Sequence, residues 1–143
     1  RTTGGSSTGW ATRDVRYLTA EEIIAIGRRI VDENLNVRDV GLVASAAARP
    51  STVAFGMDPY PTLIEKAAAL LHSLTTSHAF TDGNKRVAFA ATDVFLKLNG
   101  ARFDPAAEDE LFTTVLDIAT HVLPDVPAIA ERIAPLVEGH LRL

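Results

Sequence analysis

The sequence predicts an all-α domain, a compact helical bundle with one short extended flap. Three observations carry this. Of the 143 residues, 47% are hydrophobic, enough for a sizeable core. Apolar residues recur at three- and four-residue spacing over most of the chain. The stretch "STVAFGMDPYP" from Ser51 to Pro61 breaks the helical pattern and suits a short extended segment.

Thr19-Ala-Glu-Glu22 has capping-box spacing, and Ile23, Ile26, Ile30 and Val31 follow at helical intervals. This predicts a first helix from Ala20 to Glu33. Asp39 can cap a second, alanine-rich helix that Pro50 stops. Ser51, Thr52, Val53, Ala54 and Phe55 suit a short extended flap bounded by Gly56 and Pro59. Pro61 suits a first helical turn. Leu63, Ile64, Ala67, Leu70, Leu71 and Leu74 then form a stripe to about Thr76. The next helix spans Asn84 to Leu98, with Asn99-Gly100 as its stop. Asp104-Pro105 starts a helix with Leu111, Val115, Ile118 and Val122 inside. A last helix runs from Pro127 to Val137, with Gly139 after it. Asp93 and Lys97 are spaced for an i,i+4 pair.

Net charge is −4 with no basic tract, which argues against direct nucleic-acid binding. There is no cysteine, so disulfides and thiolate zinc sites are excluded. A reducing cytoplasm is compatible with that composition. No apolar run reaches the roughly 18 residues of a membrane span, and no signal peptide opens the chain. Residues 1–16, rich in Gly, Ser and Thr, read as a flexible leader or an expression remnant. The folded domain is expected over 17–139, with 140–143 as a tail.

The polar groups concentrate in "HAFTDGNKRVAF", His78 to Phe89. Gly83 sits where a helix begins and permits a left-handed or close backbone approach. Free amides there attract anions. Lys85 and Arg86 in the same first turn oppose the helix dipole, at a cost of about 0.3–1 kcal/mol each. A bound polyphosphate turns that mismatch into complementarity. Asp82 can carry Mg²⁺, a hard cation that bridges to phosphates. A histidine such as His78 exchanges protons near neutral pH. The competing reading of each residue alone is bland: a helix-end histidine and a solvated cation pair. Elsewhere His72 and His121 read as structural, and Arg38 and Arg49 have no assigned role.

This stretch resembles the Fic/Doc signature, H-x-F-x-[D/E/N]-[G/A]-N-x-R, at His78, Phe80, Asp82, Gly83, Asn84 and Arg86. "RDVGLVASAAARP", "YPTLIEKAAALLHSL" and "FLKLNG" resemble the Doc, or death-on-curing, branch. AMP-transferring Fic enzymes read H-x-F-x-[D/E]-G-N-G-R-x-x-R. Here Lys85 replaces the second glycine and Phe89 the second arginine. Both departures match Doc.

The resemblance implies a toxin of a toxin–antitoxin pair that moves the γ-phosphate of ATP, with Mg²⁺, to a hydroxyl on a protein. Elongation factor Tu is the implied target and arrested translation the outcome. His78 is then the general base and Asp82 the metal ligand. Gly83 and Asn84 contact phosphate, Lys85 and Arg86 neutralise it, and Phe80 is a packing anchor. The flap, Ser51 to Phe55, pairs with an extended target segment by strand addition. AMP transfer is the first alternative and a non-catalytic binding module the second. Fic proteins are commonly restrained by [S/T]-x-x-x-E-[G/N]. The nearest match, "APLVEG" at Ala134 to Gly139, lacks the hydroxyl residue and reads as a normal helix end. An antitoxin protein supplied in trans is therefore expected.

Overall fold

A computed structural model describes residues 15–139. The expected leader up to Asp14 and the tail at 140–143 lie outside the described residues. Arg16 is already tied to the fold. Its backbone N–H donates to Asn99 Oδ1 at 2.8 Å and its carbonyl accepts from Asn99 Nδ2 at 2.9 Å.

Among the described residues there are six α-helices: α1 (Ala20–Ile30), α2 (Val40–Ala48), α3 (Leu63–Thr76), α4 (Asn84–Leu98), α5 (Glu108–Ala119) and α6 (Val126–Ile133). The fold is the compact all-α one expected, with one addition. β1 (Ala101–Phe103) and β2 (Val137–Gly139) pair antiparallel, Arg102 opposite Glu138.

Helix α3 is the centre. Ten of its 14 residues are buried, because its apolar positions run round the helix rather than along one stripe. Ala67, Ala68 and Ala69 are fully buried, and such small side chains let neighbouring helices approach closely. α4, α6 and α2 pack around it.

Several boundaries differ from expectation. α1 stops three residues early because Asp32 builds a turn, its Oδ1 accepting from Asn34 N at 2.8 Å and its carbonyl from Leu35 N at 2.9 Å. Pro61 lies outside α3. Thr62 is the N-cap, in a capping box with Glu65, and this signal overrides the proline. Pro105 belongs to a 3₁₀ turn before α5. Val122 is exposed beyond α5, because Asp117 O captures the N–H groups of Val122 and Leu123 at 2.8 and 3.0 Å and ends the helix. α6 gives way to a 3₁₀ turn at Ala134–Leu136 around Pro135. "APLVEG" is thus a turn and a strand, not a helix. Glu138 forms an ion pair with Arg102 at 2.6 Å. Gly139 (φ 127°) is within that strand, where a Cβ would lie 2.5 Å from Gly100 O.

The flap is shorter than expected. Ser51 belongs to a 3₁₀ turn, and the N–H groups of Ala54 and Met57 donate to each other's carbonyl at 2.9 Å. Phe55 and Gly56 form the two-residue tip, with φ of 53° and 74°.

Candidate active site

The motif occupies the connection between α3 and α4. α3 ends at Thr76, and His78 follows two residues later in the left-handed region at φ 54°, with its side chain exposed. A non-glycine residue there needs its surroundings to hold it. They do so through segment 36–39. Arg38 Nε donates to the His78 carbonyl at 2.9 Å, and Arg38 Nη2 donates to the same oxygen. The next carbonyl, Ala79 O, accepts from the backbone N–H groups of Arg38 and Asp39 at 2.8 and 3.1 Å. Thr81 N donates to Asn36 O at 3.2 Å.

The loop is tied equally well on its other side. Phe80 is buried in the core, which fits its expected role as a packing anchor. The Asn84 side chain clips the Phe80 backbone, Oδ1 accepting from the N–H at 3.0 Å and Nδ2 donating to the carbonyl at 2.9 Å. The Asn84 amide therefore shapes the loop, and one Nδ2 hydrogen is left for other contacts. Gly83 precedes α4 at φ 71°. A Cβ at this position would sit 2.8 Å from both methyl carbons of Val31, so glycine is demanded by backbone and space together.

The start of α4 has unusual electrostatics. No side chain caps it and its first turn has no acidic residue. Lys85 and Arg86 are exposed in that turn. Both line a groove of 390 Å³ between α1, α4 and α5, whose apolar part includes Ile30, Phe89, Leu111 and Phe112. That volume lies within the roughly 300–1,000 Å³ of small-molecule sites. Phe89 stacks on Phe103 with ring centres 5.3 Å apart.

Asp82 is exposed, with Oδ1 accepting from Gly83 N at 2.8 Å. No group of three His, Asp or Glu able to hold a metal exists among the described residues. A single free carboxylate suits Mg²⁺ shared with phosphate oxygens and water, and does not suit an all-protein cage.

The structure thus gathers His78, Asp82, Gly83, Asn84, Lys85 and Arg86 in one fixed loop and helix start. It does not join Ser51–Phe55 to them by any hydrogen bond among the described residues. Arg38 is one of two residues, with Arg49, that sequence reasoning left without a role. Its contact is 40 positions away in the chain, and no local pattern signals it.

Residues 17–96 match the Fic/DOC family. The chain belongs to that family. It is also 45% identical over 103 residues to "Toxin Doc" of Mycolicibacterium smegmatis, an alignment covering 69% of this chain and 79% of that protein. Lys85 and Phe89, the two departures from the AMP-transfer pattern, both line the groove beside the motif.

Proposed function

We propose that this chain is a Doc-like toxin that transfers the γ-phosphate of ATP to a hydroxyl of a protein, with elongation factor Tu as target and arrested translation as result. The observation that carries this reading is the start of α4, uncapped and doubly cationic, beside an exposed histidine held in a left-handed backbone. Free amides, Lys85 and Arg86 bind and orient the polyphosphate. His78 accepts the proton of the attacking hydroxyl at an imidazole nitrogen. The oxygen then bonds to the γ-phosphorus as the bond to the β-phosphate oxygen breaks, leaving ADP. Mg²⁺, held by Asp82 and the phosphates, would neutralise charge on the polyphosphate. Lys85 fills and charges space that glycine leaves open, and Phe89 replaces a guanidinium clamp. Both favour the phosphate-transferring orientation over AMP transfer.

The similarity to Toxin Doc supports an antitoxin partner. The segment resembling an internal inhibitor is strand-paired, with Glu138 bound to Arg102. This supports restraint in trans.

The test is incubation of the protein with bacterial lysate and ATP labelled at the α or the γ phosphate. Transfer from γ alone onto a protein of elongation factor Tu size is expected. Transfer from α identifies AMP transfer, and no transfer in either arm identifies a binding module. Either result overturns the proposal.

A further inference from the structure

Two cations that the motif does not use hold the segment between α2 and α3. Lys66 is 1% exposed. Its Nζ donates to the Pro50 carbonyl at 3.1 Å and to Asp58 Oδ2 at 2.9 Å, and lies 5.9 Å from the centre of the Tyr17 ring. Pro50 and Asp58 are the two ends of the flap. A buried ammonium is tolerated because both partners are in place. Arg49 forms a second clamp just outside the first. Its Nε donates to Tyr60 Oη at 3.0 Å, and its Nη1 donates to His72 Nδ1 at 2.8 Å and Ser73 Oγ at 2.9 Å. Its guanidinium also lies 5.6 Å from the Tyr60 ring centre. Both clamps close on α3, the helix that runs into His78.

The clamped segment carries a tip that no contact among the described residues rewards. Phe55 takes a left-handed backbone where Asn or Gly is the usual choice. Its side chain is fully exposed, and Val53 and Met57 beside it are largely so. Val53 N–H and C=O have no hydrogen-bond partner among the described residues.

We propose that Arg49 and Lys66 are positioning residues that hold the flap, whose pairing with the target the family resemblance already implies, as a preformed hairpin on α3, fixing its register with His78. This rests on the transfer reading given above. Preorganisation lowers the ordering cost of binding, so the clamps act on acceptor affinity, not on the phosphate site.

A pH dependence follows from the same contacts. His72 can accept from Arg49 only with Nδ1 unprotonated, which puts its proton on Nε2. Burial and then Arg49 hold His72 below the ordinary histidine range, with His121 acting the same way and Asp125 opposing. A histidine whose closed-state value is depressed keeps the clamp fully closed above its ordinary value and loosens it as pH falls below that value.

Amide hydrogen exchange in residues 51–57 of the full chain, divided by intrinsic rates, reads the clamp, with α4 amides as the control for global unfolding. Flap exchange should rise several-fold between about pH 7.5 and 5.5, against a reference histidine value of about 6.5. His72→Asn, which keeps an acceptor at the Nδ1 position but cannot titrate, should flatten the profile. Arg49→Ala should raise flap exchange at least tenfold with α4 still protected, and Arg49→Lys should restore part of the protection. In lysate labelling by γ-labelled ATP, Arg49→Ala should need at least tenfold more lysate for half-maximal transfer, with the ATP requirement unmoved. Unchanged flap exchange in Arg49→Ala overturns the clamp. A loosened flap with unchanged lysate dependence overturns the positioning role. Clamp behaviour intact in a wild-type chain that transfers nothing counts against the transfer reading instead, and removes the substrate from this proposal.

Discussion

The N-termini of α3 and α4 are built on opposite principles. At α3, Thr62 Oγ1 accepts from Glu65 N at 3.1 Å and Glu65 Oε1 accepts from Thr62 N at 3.1 Å. Two orphan donors are satisfied, and a carboxylate faces the positive end of the dipole. At α4, 21 residues on, there is no side-chain cap, no acid in the first turn, and two cations instead. The same chain thus meets the usual rules at one helix start and breaks them at the next. Local rules fail most informatively at sites of function. The α3 start serves the fold, and the α4 start is left uncapped, open to the polyphosphate of the proposed function.

The largest test of that division is His78→Ala. The residue is exposed, so the fold should remain while phosphate transfer falls by about 10²–10⁴-fold, the usual worth of a general base. Label transfer, growth on expression and circular dichroism together check this. Undiminished toxicity would remove His78 from the chemistry.

Gly83→Ala should strike fold and site together. The left-handed backbone costs a β-carbon about 1–2 kcal/mol, and the Val31 methyls at 2.8 Å add about 1–3 kcal/mol of overpacking. Chemical denaturation should show the loss, and ATP affinity should fall with it. A neutral result would mean that the turn relaxes freely and is not a fixed part of the site.

Much of this contrast was legible in the sequence. Gly83 and Asn99-Gly100 bracket α4, and its predicted bounds agree with the structure because both punctuation signals are local. The motif residues sit within nine positions, so one loop was bound to gather them. What stayed hidden depends on distant partners. β1 and β2 are three residues each, too short for an alternation to register. They exist because Arg102 meets Glu138 and because Asp93 Oδ1 accepts from Phe103 N at 3.0 Å. Asp93 was expected only to pair with Lys97, which it does at 2.8 Å. Arg38 and Arg49 gave no local signal, since each acts on a residue more than ten positions away. The capping box at Thr62 was legible but overlooked beside Pro61, a case of a true signal masked by a louder neighbour.

A smaller effect sharpens the other side of the comparison. Thr62→Ala should cost about 0.5–2 kcal/mol, the worth of an N-cap, and leave transfer per folded molecule unchanged. Thermal melts and specific activity separate the two. A fall in specific activity at full folding would show that the start of α3 also sets the geometry of the flap just before it.

The smallest expected effect is the most discriminating. Lys85→Gln removes a cation from the first turn of α4 and keeps most of the side-chain length. If that turn were ordinary surface, the change would be silent. If it is an anion site bearing an unfavourable charge in the free protein, stability should rise by about 0.3–1 kcal/mol at low ionic strength. ATP affinity should fall at the same time, because the charge that opposes the dipole is the charge that meets phosphate. The stability gain should fade near 1 M salt, where the screening length is only about 3 Å. Denaturation curves at two salt concentrations and calorimetric ATP titration give both quantities. Opposite signs for stability and affinity would mark a helix start kept open for its ligand. Unchanged affinity, or a loss of stability, would return Lys85 to the ordinary surface and leave the phosphate site to Arg86 and the amides alone.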